Sequence, residues 1–350
     1  MKKNRAVLLI ICMITLNVAG CQYRRNESRN EAIIKDEMTI GITFDTFVLE
    51  RWIRDREVFV TTAMNLGAKV DVQNANGNIN KQKEQIQKFI KQDMDAIVVV
   101  AIDCYQLSDT IAEAKSKGII VVSYDRLIQG ETSDMYITVD NRSVGKEMAL
   151  EIQAKLPDGG NVVMICGPKA DTNSLDVADG FEEMMAGSKW QIIYRDYVKS
   201  WTPENGEAAV TTAFKSVTDD NVDAVMCGND GLAGYAIRAL SEMQMAGTVI
   251  VVGQDADLEA CQRVVEGTQS MTVYKPIEDL AKTAAECTVK LIKGEEISGH
   301  LDTKKMENGS SVLYYPLEPV AVTKENMDSV IIDSGFHPRE EVYLNLEEDH

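Results

Sequence analysis

The chain alternates between short apolar runs and longer amphipathic stretches for almost its whole length. The clearest run is Ile119-Ile-Val-Val-Ser-Tyr-Asp125-Arg126, set off by Gly118 and ending on two charged side chains. Comparable runs at 97–103, 162–167, 222–230 and 249–257 each close on Asp, Asn, Gln or Gly. An unbroken, β-branched run of this kind reads as a parallel strand buried on both faces. Between the runs, apolar residues recur at helical spacing. Trp52, Ile53, Phe59, Val60, Ala63 and Met64 mark one face of a helix that starts near Leu49 and ends at Gly67, where a C′ glycine belongs.

In chain order the pattern predicts strands at 38–44, 69–73, 97–102, from 119, and at 136–140, with further helices at 81–92 and 107–117. A second round alternates helices at 144–156, 177–185, 204–217, 233–243 and 258–266 with strands at 161–166, 191–197, 224–227, 249–252 and 270–274. A last helix at 277–293 precedes a looser segment containing Pro316 and Pro319, a strand near 320–322, and an acidic, frayed tail over 336–350. Repetition of βα units twice over implies an α/β protein with two doubly wound parallel-sheet lobes. The 350 residues suffice for two domains of ordinary size. In such sheets ligands bind beyond the carboxyl ends of the strands, so polar residues gathered there are the candidates for function.

Charge and the N-terminus narrow the class. A formal charge of −19 excludes nucleic acid as a partner, because phosphate binding needs a basic stripe and the sequence has none. Lys2, Lys3 and Arg5 precede an apolar run over 6–18, which reads as a secretory signal peptide over 1–20, too short to span a bilayer. Its end, Val18-Ala-Gly-Cys21, resembles the bacterial lipobox, which implies that Cys21 is lipidated and becomes the first mature residue; the alternative is an ordinary signal peptide with a chance cysteine. Losing three cations and no acids takes the mature charge from −19 to −22. A diacylglyceryl group has two chains, enough for stable membrane attachment. Residues 21–36 are polar and read as a flexible tether reaching on the order of 20 Å.

Beyond Cys12 and Cys21, the cysteines are Cys104, Cys166, Cys227, Cys261 and Cys287, an odd set with no Cys-x-x-Cys spacing, so disulfide and metal roles have little support. Four of them lie in apolar runs or stripes and read as small buried hydrophobes; Cys104 follows a strand end and carries no assignment.

The polar residues at the strand ends and in the following loops are Arg51 and Trp52, Asp125 and Arg126, Asp171 and Asn173, Trp201, Asn229 and Asp230, Asp255, and Lys275. Asp and Asn accept from hydroxyls, while Arg, Lys and Asn donate to hydroxyl and ring oxygens, more strongly when charged. A flat indole suits the C–H face of a sugar. This mixture fits a neutral polyol, whereas an anion would want excess cations or a glycine-rich helix start. Each residue also has a plainer reading. Asp125 and Arg126 alone would be a surface ion pair, Asn229 or Asp230 a helix cap, Lys275 an exposed turn residue before Pro276, and Trp52 a core residue.

These same segments carry a family resemblance. Leu49-Glu-Arg-Trp52, Ala75-Asn-Gly-Asn78, Tyr124-Asp-Arg126, Trp201-Thr-Pro-Glu-Asn205, Gly253-Gln-Asp-Ala-Asp257 and Met271-Thr-Val-Tyr-Lys-Pro276 resemble the bacterial D-xylose-binding proteins, sugar receptors of the ribose-binding class. The resemblance covers about 39–337 and implies the type I periplasmic binding protein fold, two lobes joined by a three-strand hinge. The crossovers would lie near 140–141, 274–276 and 317–319. One lobe would comprise 37–140 plus 276–317 and the other 141–275 plus 318–335. It makes Arg51, Asp125 and Arg126 ligands from the first lobe, and Asp171, Asn173, Asn229 and Asp255 ligands from the second. Lys275 would bind from the hinge, with Trp52 and Trp201 enclosing the ring. The Lys169-Ala-Asp-Thr-Asn-Ser174 loop matches the pattern less well at its flanks. Galactose-binding relatives carry a calcium loop with oxygens at alternate positions; here the alternation after Asp171 and Asn173 breaks at Leu175, so neither metal nor cofactor is expected.

Three functions compete on this reading. The first is a lipid-anchored extracytoplasmic receptor delivering D-xylose, or a close monosaccharide, to the membrane permease of an ABC importer. The second uses the same site to report sugar to a membrane sensor kinase or chemoreceptor. The third, a sugar-processing enzyme, needs a nucleophile with its base, a working carboxylate pair, or a metal site. None of His300, His337 and His350 lies at a strand end, no Gly-x-Ser-x-Gly elbow occurs, and the glycines of Gly228-Asn-Asp-Gly-Leu-Ala-Gly234 miss the dinucleotide spacing. The expectation is a binding protein.

Overall fold

The computed structural model describes residues 37–48, 51–187, 189–217 and 222–346. The segments expected to be signal peptide and tether, with Cys21, and also Leu49 and His350, lie outside them.

Five parallel strands open the chain: β1 (Met38–Phe44), β2 (Ala68–Asn74), β3 (Ala96–Val99), β4 (Ile120–Tyr124) and β5 (Met135–Val139). They alternate with α1 (Arg51–Asn65), α2 (Ile79–Lys91) and α3 (Ser108–Ser116). Then α4 (Asn141–Lys155) leads into β6 (Gly160–Cys166), β7 (Trp190–Tyr197), β8 (Ala224–Cys227), β9 (Ile250–Gln254) and β10 (Met271–Tyr274), again all parallel. Their helices are α5 (Thr172–Met185), α6 (Pro203–Ser216), α7 (Asp230–Glu242) and α8 (Leu258–Glu266). The first set is ordered β2-β1-β3-β4-β5 and the second β7-β6-β8-β9-β10, so the two sheets share one topology. In each, the strand order reverses beside the first strand, the place where such sheets take ligands.

Burial on both faces explains the unbroken apolar runs. In β3, Val98 faces one apolar cluster while Ile97 and Val99 face another; in β6, Val162, Met164 and Cys166 divide from Val163 and Ile165 in the same way. Each such side chain contributes about 1.5–3 kcal/mol through burial, and Ile97→Ala would lose roughly 2–5 kcal/mol.

The chain crosses between the sheets three times, from β5 into α4, from β10 into α9 (Ile277–Lys293), and from β12 (Ser311–Leu317) into β13 (Val320–Val322). The Asp140 amide donates to the Leu317 carbonyl at 2.8 Å, tying two crossovers side by side. Helix α9 returns to the first lobe and packs on α1, while β13 joins β10 antiparallel.

Three features depart from the sequence reading. The segment read as loose holds β11 (Asp302–Lys305) and β12, which extend the first sheet beyond β5. Pro316 is tolerated there because β11 pairs only as far as Tyr314, leaving its missing amide without a ladder partner to lose. Helices α4, α5 and α7 begin three to five residues earlier than the periodicity indicates, on Asn141, Thr172 and Asp230, because their first turns are polar and capped by Asp140, Asp171 and Asn229. The described part of the tail is not frayed. Phe336, His337 and Val342 are buried against α8 and its neighbours, with α10 (Arg339–Val342) forming a last short turn.

Candidate functional site

The two lobes offer matching turns to the cleft. Asp125 follows β4, and its amide donates to the Ile137 carbonyl at 2.8 Å; Asp255 follows β9, and its amide donates to the Val273 carbonyl at 2.9 Å. Both adopt left-handed backbone, with φ of 64° and 101°. That conformation costs a non-glycine residue on the order of 1–3 kcal/mol and persists where surrounding structure imposes it, commonly at functional sites. The effect is to turn each carboxylate off the strand end into the space between the sheets.

That space is a cavity lined by Arg51, Trp52, Asp125, Arg126, Asp171, Asn173, Trp201, Asn229, Asp255 and Lys275, together with Ser174 and Gln254. Of the eleven polar and aromatic residues gathered from the sequence, the ten that the resemblance places around the sugar line this cavity, and Asp230 does not. Helix α1 presents Arg51 and Trp52 from its described start, β4 supplies Asp125 and Arg126, and the capped turns of α5 and α7 supply Asp171, Asn173 and Asn229. Lys275 sits on the β10 crossover, buried rather than exposed. Trp201 approaches so closely that a β-carbon on Gly167 would lie 2.2 Å from its Cη2, so only glycine fits at the end of β6.

The plainer readings of individual residues resolve differently. Asp125 and Arg126 are buried, and the hydrogen bonds and ion pairs of each run to other residues. Asp125 accepts from Arg51 at 3.0 Å; Arg126 donates to Asp45 at 2.8 Å and to the Ala101 carbonyl at 2.9 Å. Asn229 caps α7, accepting from Leu232 at 2.9 Å, and still lines the cavity, so cap and cavity wall are one role set. Asp230 faces away, accepting from Thr272 and Gln269. Trp52 belongs both to the core and to the cavity wall, with the guanidinium carbons of Arg51 and Arg126 at 4.2 and 5.6 Å from its ring centre.

Electrostatically the lining is balanced: Arg51, Arg126 and Lys275 oppose Asp125, Asp171 and Asp255. Burial pushes the Asp125 carboxyl up, but Arg51, Lys275 and Arg126 outweigh it and hold its pKa below the usual value. Burial, aided by Asp125, raises Asp171 despite Arg126. Among the described residues, nine buried side-chain polar atoms lack a hydrogen-bond partner within the protein, and six of them belong to residues that line this cavity: Arg51 Nε, Trp52 Nε1, Arg126 Nε, Ser174 Oγ, Gln254 Oε1 and Asp255 Oδ1. Arg126 Nε lies 2.9 Å from Asp171 and Lys275 Nζ 3.2 Å from Asp255 Oδ1, close enough to attract, yet Arg126 Nε and Asp255 Oδ1 remain without an aligned hydrogen bond. Buried groups left this way cost about 1–3 kcal/mol each, and two-thirds of them fall on residues of one cavity wall.

Contacts join the lobes across the cavity. Asn173 Nδ2 donates to the Asp125 carbonyl and carboxylate at 2.9 and 3.1 Å, and the Cys104 amide donates to Ala170 at 2.9 Å. Farther out, Lys304 pairs with Asp176 at 2.8 Å. Cys104 is buried, like Cys166, Cys227, Cys261 and Cys287. Sequence reasoning missed Ser174, Gln254 and the supporting Asp45, although Gln254 and Ser174 fall inside quoted motifs and Asp45 closes β1 as other strands close on Asp. The buried Asp55, which accepts from Tyr124 and Arg51 behind the cavity, gave no signal.

Two topologically equivalent α/β lobes, joined by three crossovers and enclosing a charge-balanced polar cavity at their strand ends, define a two-lobed ligand receptor. The chain belongs to the periplasmic binding protein domain family, whose model matches residues 40–296. It is 40% identical over 312 residues to a D-xylose-binding periplasmic protein of Haemophilus influenzae, covering 88% of this chain and 92% of that one. The Escherichia coli D-xylose-binding periplasmic protein is 38% identical over 317 residues, with 89% and 95% covered. Among solved structures, an ABC transporter solute-binding protein from Clostridium phytofermentans with bound β-D-glucose superposes with a TM-score of 0.77 at 27% identity, over 87% of this chain and 99% of that one. The fold is thus the type I periplasmic binding protein fold, and the chain is a binding protein, not an enzyme.

Proposed function

We propose that this protein is an extracytoplasmic, lipid-anchored receptor that binds D-xylose or a close monosaccharide between its lobes and delivers it to an ABC importer. The observation that carries the reading is that six buried polar atoms without a hydrogen bond in the protein belong to residues lining one cavity, whose formal charges cancel. A neutral polyol meets both demands, offering hydroxyls that donate to Asp255 and Gln254 and accept from Arg51, Arg126 and Trp52. The names of the two relatives from Haemophilus influenzae and Escherichia coli support xylose in particular. Glucose is the nearest competitor, since a relative of the same fold holds it and an added CH2OH is excluded only by pocket shape.

The mechanism is population shift. Residues 37–140 with 276–317 move as one body against 141–275 with 318–335, pivoting on the three crossovers. Arg51, Asp125 and Arg126 grip the sugar from one body, Asp171, Asn173, Asn229 and Asp255 from the other, and Lys275 from the pivot, while Trp52 and Trp201 enclose the ring. A ligand held by both bodies favours the closed state in proportion to its extra contacts there, and the permease reads that shape. Cys21 carries the lipid, and 21–36 give the domain its reach from the membrane. Micromolar affinity needs about −8 kcal/mol, within the limit of roughly −1.5 kcal/mol per heavy atom for a small ligand of about ten such atoms.

A thermal-shift panel of neutral pentoses, hexoses and sugar acids, followed by isothermal titration, tests the assignment. D-xylose is expected to give the largest stabilisation. A panel in which no neutral sugar moves the transition, or a sugar acid moves it most, would sink the reading.

A further inference from the structure

Asp255 presents its carboxylate to the cavity from a strained turn, since Ala256 beside it is also left-handed, with φ of 52°. Hydrogen bonds hold this turn from two sides. On one, Thr272 Oγ1 accepts from the Ala256 amide at 3.1 Å and donates to Asp230 Oδ2 at 2.7 Å, which also accepts from the Asp257 amide at 3.1 Å. On the other, the Ala256 carbonyl lies 2.8 Å from His337 Nε2. A carbonyl can only accept, so His337 is the donor and its Nε2 carries a proton.

His337 comes from a segment 81 positions away and is itself clamped. Its ring meets Phe336 edge-on at 4.5 Å, and Phe336 packs edge-on against Tyr274 at 4.9 Å. The Phe336 carbonyl accepts from Arg54 at 2.9 Å, and the Arg54 guanidinium covers the Phe336 ring at 4.6 Å. Arg54 lies one turn beyond Arg51 on α1, in the opposite lobe. A small opening, walled by Arg51, Asp255, Ala256, Phe336 and His337, borders the Asp255 turn. The hydrogen bonds tie the turn to Thr272 on one side and to His337 on the other.

We propose that His337 is a positioning residue for ligand binding: by donating to the Ala256 carbonyl it holds Asp255 in its left-handed turn and keeps that carboxylate beside Lys275, facing the cavity. Its effect on sugar affinity rests on the function proposed above; its effect on the turn does not. His337 does not line the cavity, so its removal acts on binding indirectly, and the crystal structure of the variant reads whether the Asp255 turn carries the effect.

The test uses the full mature chain with His337→Phe, which keeps a ring but has no donor, His337→Asn, too short to reach Ala256, and His337→Gln, whose amide nitrogen replaces Nε2. D-xylose affinity is measured by isothermal titration, stability by calorimetry, and the His337→Phe structure by crystallography. Phe and Asn are expected to weaken xylose binding at least tenfold while Gln stays within threefold of wild type, at similar unfolding temperatures. In the His337→Phe crystal, Asp255 is expected to leave its left-handed conformation and withdraw from Lys275, now 3.2 Å away. Wild-type affinity in both loss variants, equal losses in all three, or an unmoved turn would overturn the proposal. If His337→Phe does not fold, His337→Asn supplies both readouts. Should wild-type protein bind no neutral sugar, the sugar assignment fails, while the crystal structure still decides whether His337 holds the turn.

Discussion

Arg126→Met probes the cross-lobe clamp at its centre. Arg126 is 2% exposed, bonded within its own lobe to Asp45 and the Ala101 carbonyl, and faces Asp171 of the other lobe at 2.9 Å. Methionine fills the stem's volume and removes the cation, stranding two buried carboxylates. Breaking one partner of a buried pair costs roughly 3–5 kcal/mol. The Asp45 share falls on folding of the first lobe, and the Asp171 share falls on closure. Taking half for closure gives about 1.5–2.5 kcal/mol, roughly a ten- to sixtyfold rise in Kd before any lost sugar contact. Isothermal titration with D-xylose reads the affinity, and calorimetry separates the folding share. Asp171→Asn tested alone and in the Arg126→Met background completes a cycle, in which the second change should cost little once the first is made. Affinity within threefold of wild type, or strictly additive losses, would refute the clamp.

Other consequences are open to simpler assays. D-xylose should change tryptophan fluorescence, and Trp52→Phe and Trp201→Phe should each remove part of the change; a signal surviving both would place the reporter elsewhere, at Trp190. Gly167→Ala puts a methyl 2.2 Å from Trp201 and 2.3 Å from Ser174 Oγ, so sugar affinity should fall about tenfold or more, near 1.4 kcal/mol, with the fold intact by circular dichroism; unchanged titration would mean Trp201 takes no part. Burial lifts the carboxyl of Asp55 to about 6 and that of Asp230 to about 7. The folded state therefore binds more protons than the unfolded chain between about pH 4 and 7, and stability falls as pH rises through that window. Asp125, held low by its cations, acts in the opposite sense only at more acid pH. Calorimetry should show the unfolding temperature climbing from pH 8 to pH 5, and a fall on acidification would contradict these assignments.

Much of this architecture is legible in the sequence because burial on both faces writes itself as unbroken apolar runs, and the runs end where the site begins. Asp125 and Arg126 stand out for that reason. Polar structure is harder to see. The strands β11 and β12 lie at an exposed edge and include Pro316, so neither period nor composition marks them. Asp171 and Asn229 cap their helices as well as facing the cavity, and a polar first turn hides a helix start from any apolar period. Asp45 and Asp55 matter through Arg126 and Arg51, partners set by the fold. His337 is least visible: it sits in an acidic terminal segment, and only Phe336 and Val342, finding an apolar cluster beside α8, bring it to Ala256.

A crystal structure of the mature chain grown with saturating D-xylose tests the central claim most directly. One pyranose should lie between the lobes, within hydrogen-bonding distance of Arg126 and Asp125 on one side and Asn229 and Asp255 on the other. Sugar bound elsewhere, or bound to one lobe with the other withdrawn, would contradict the account.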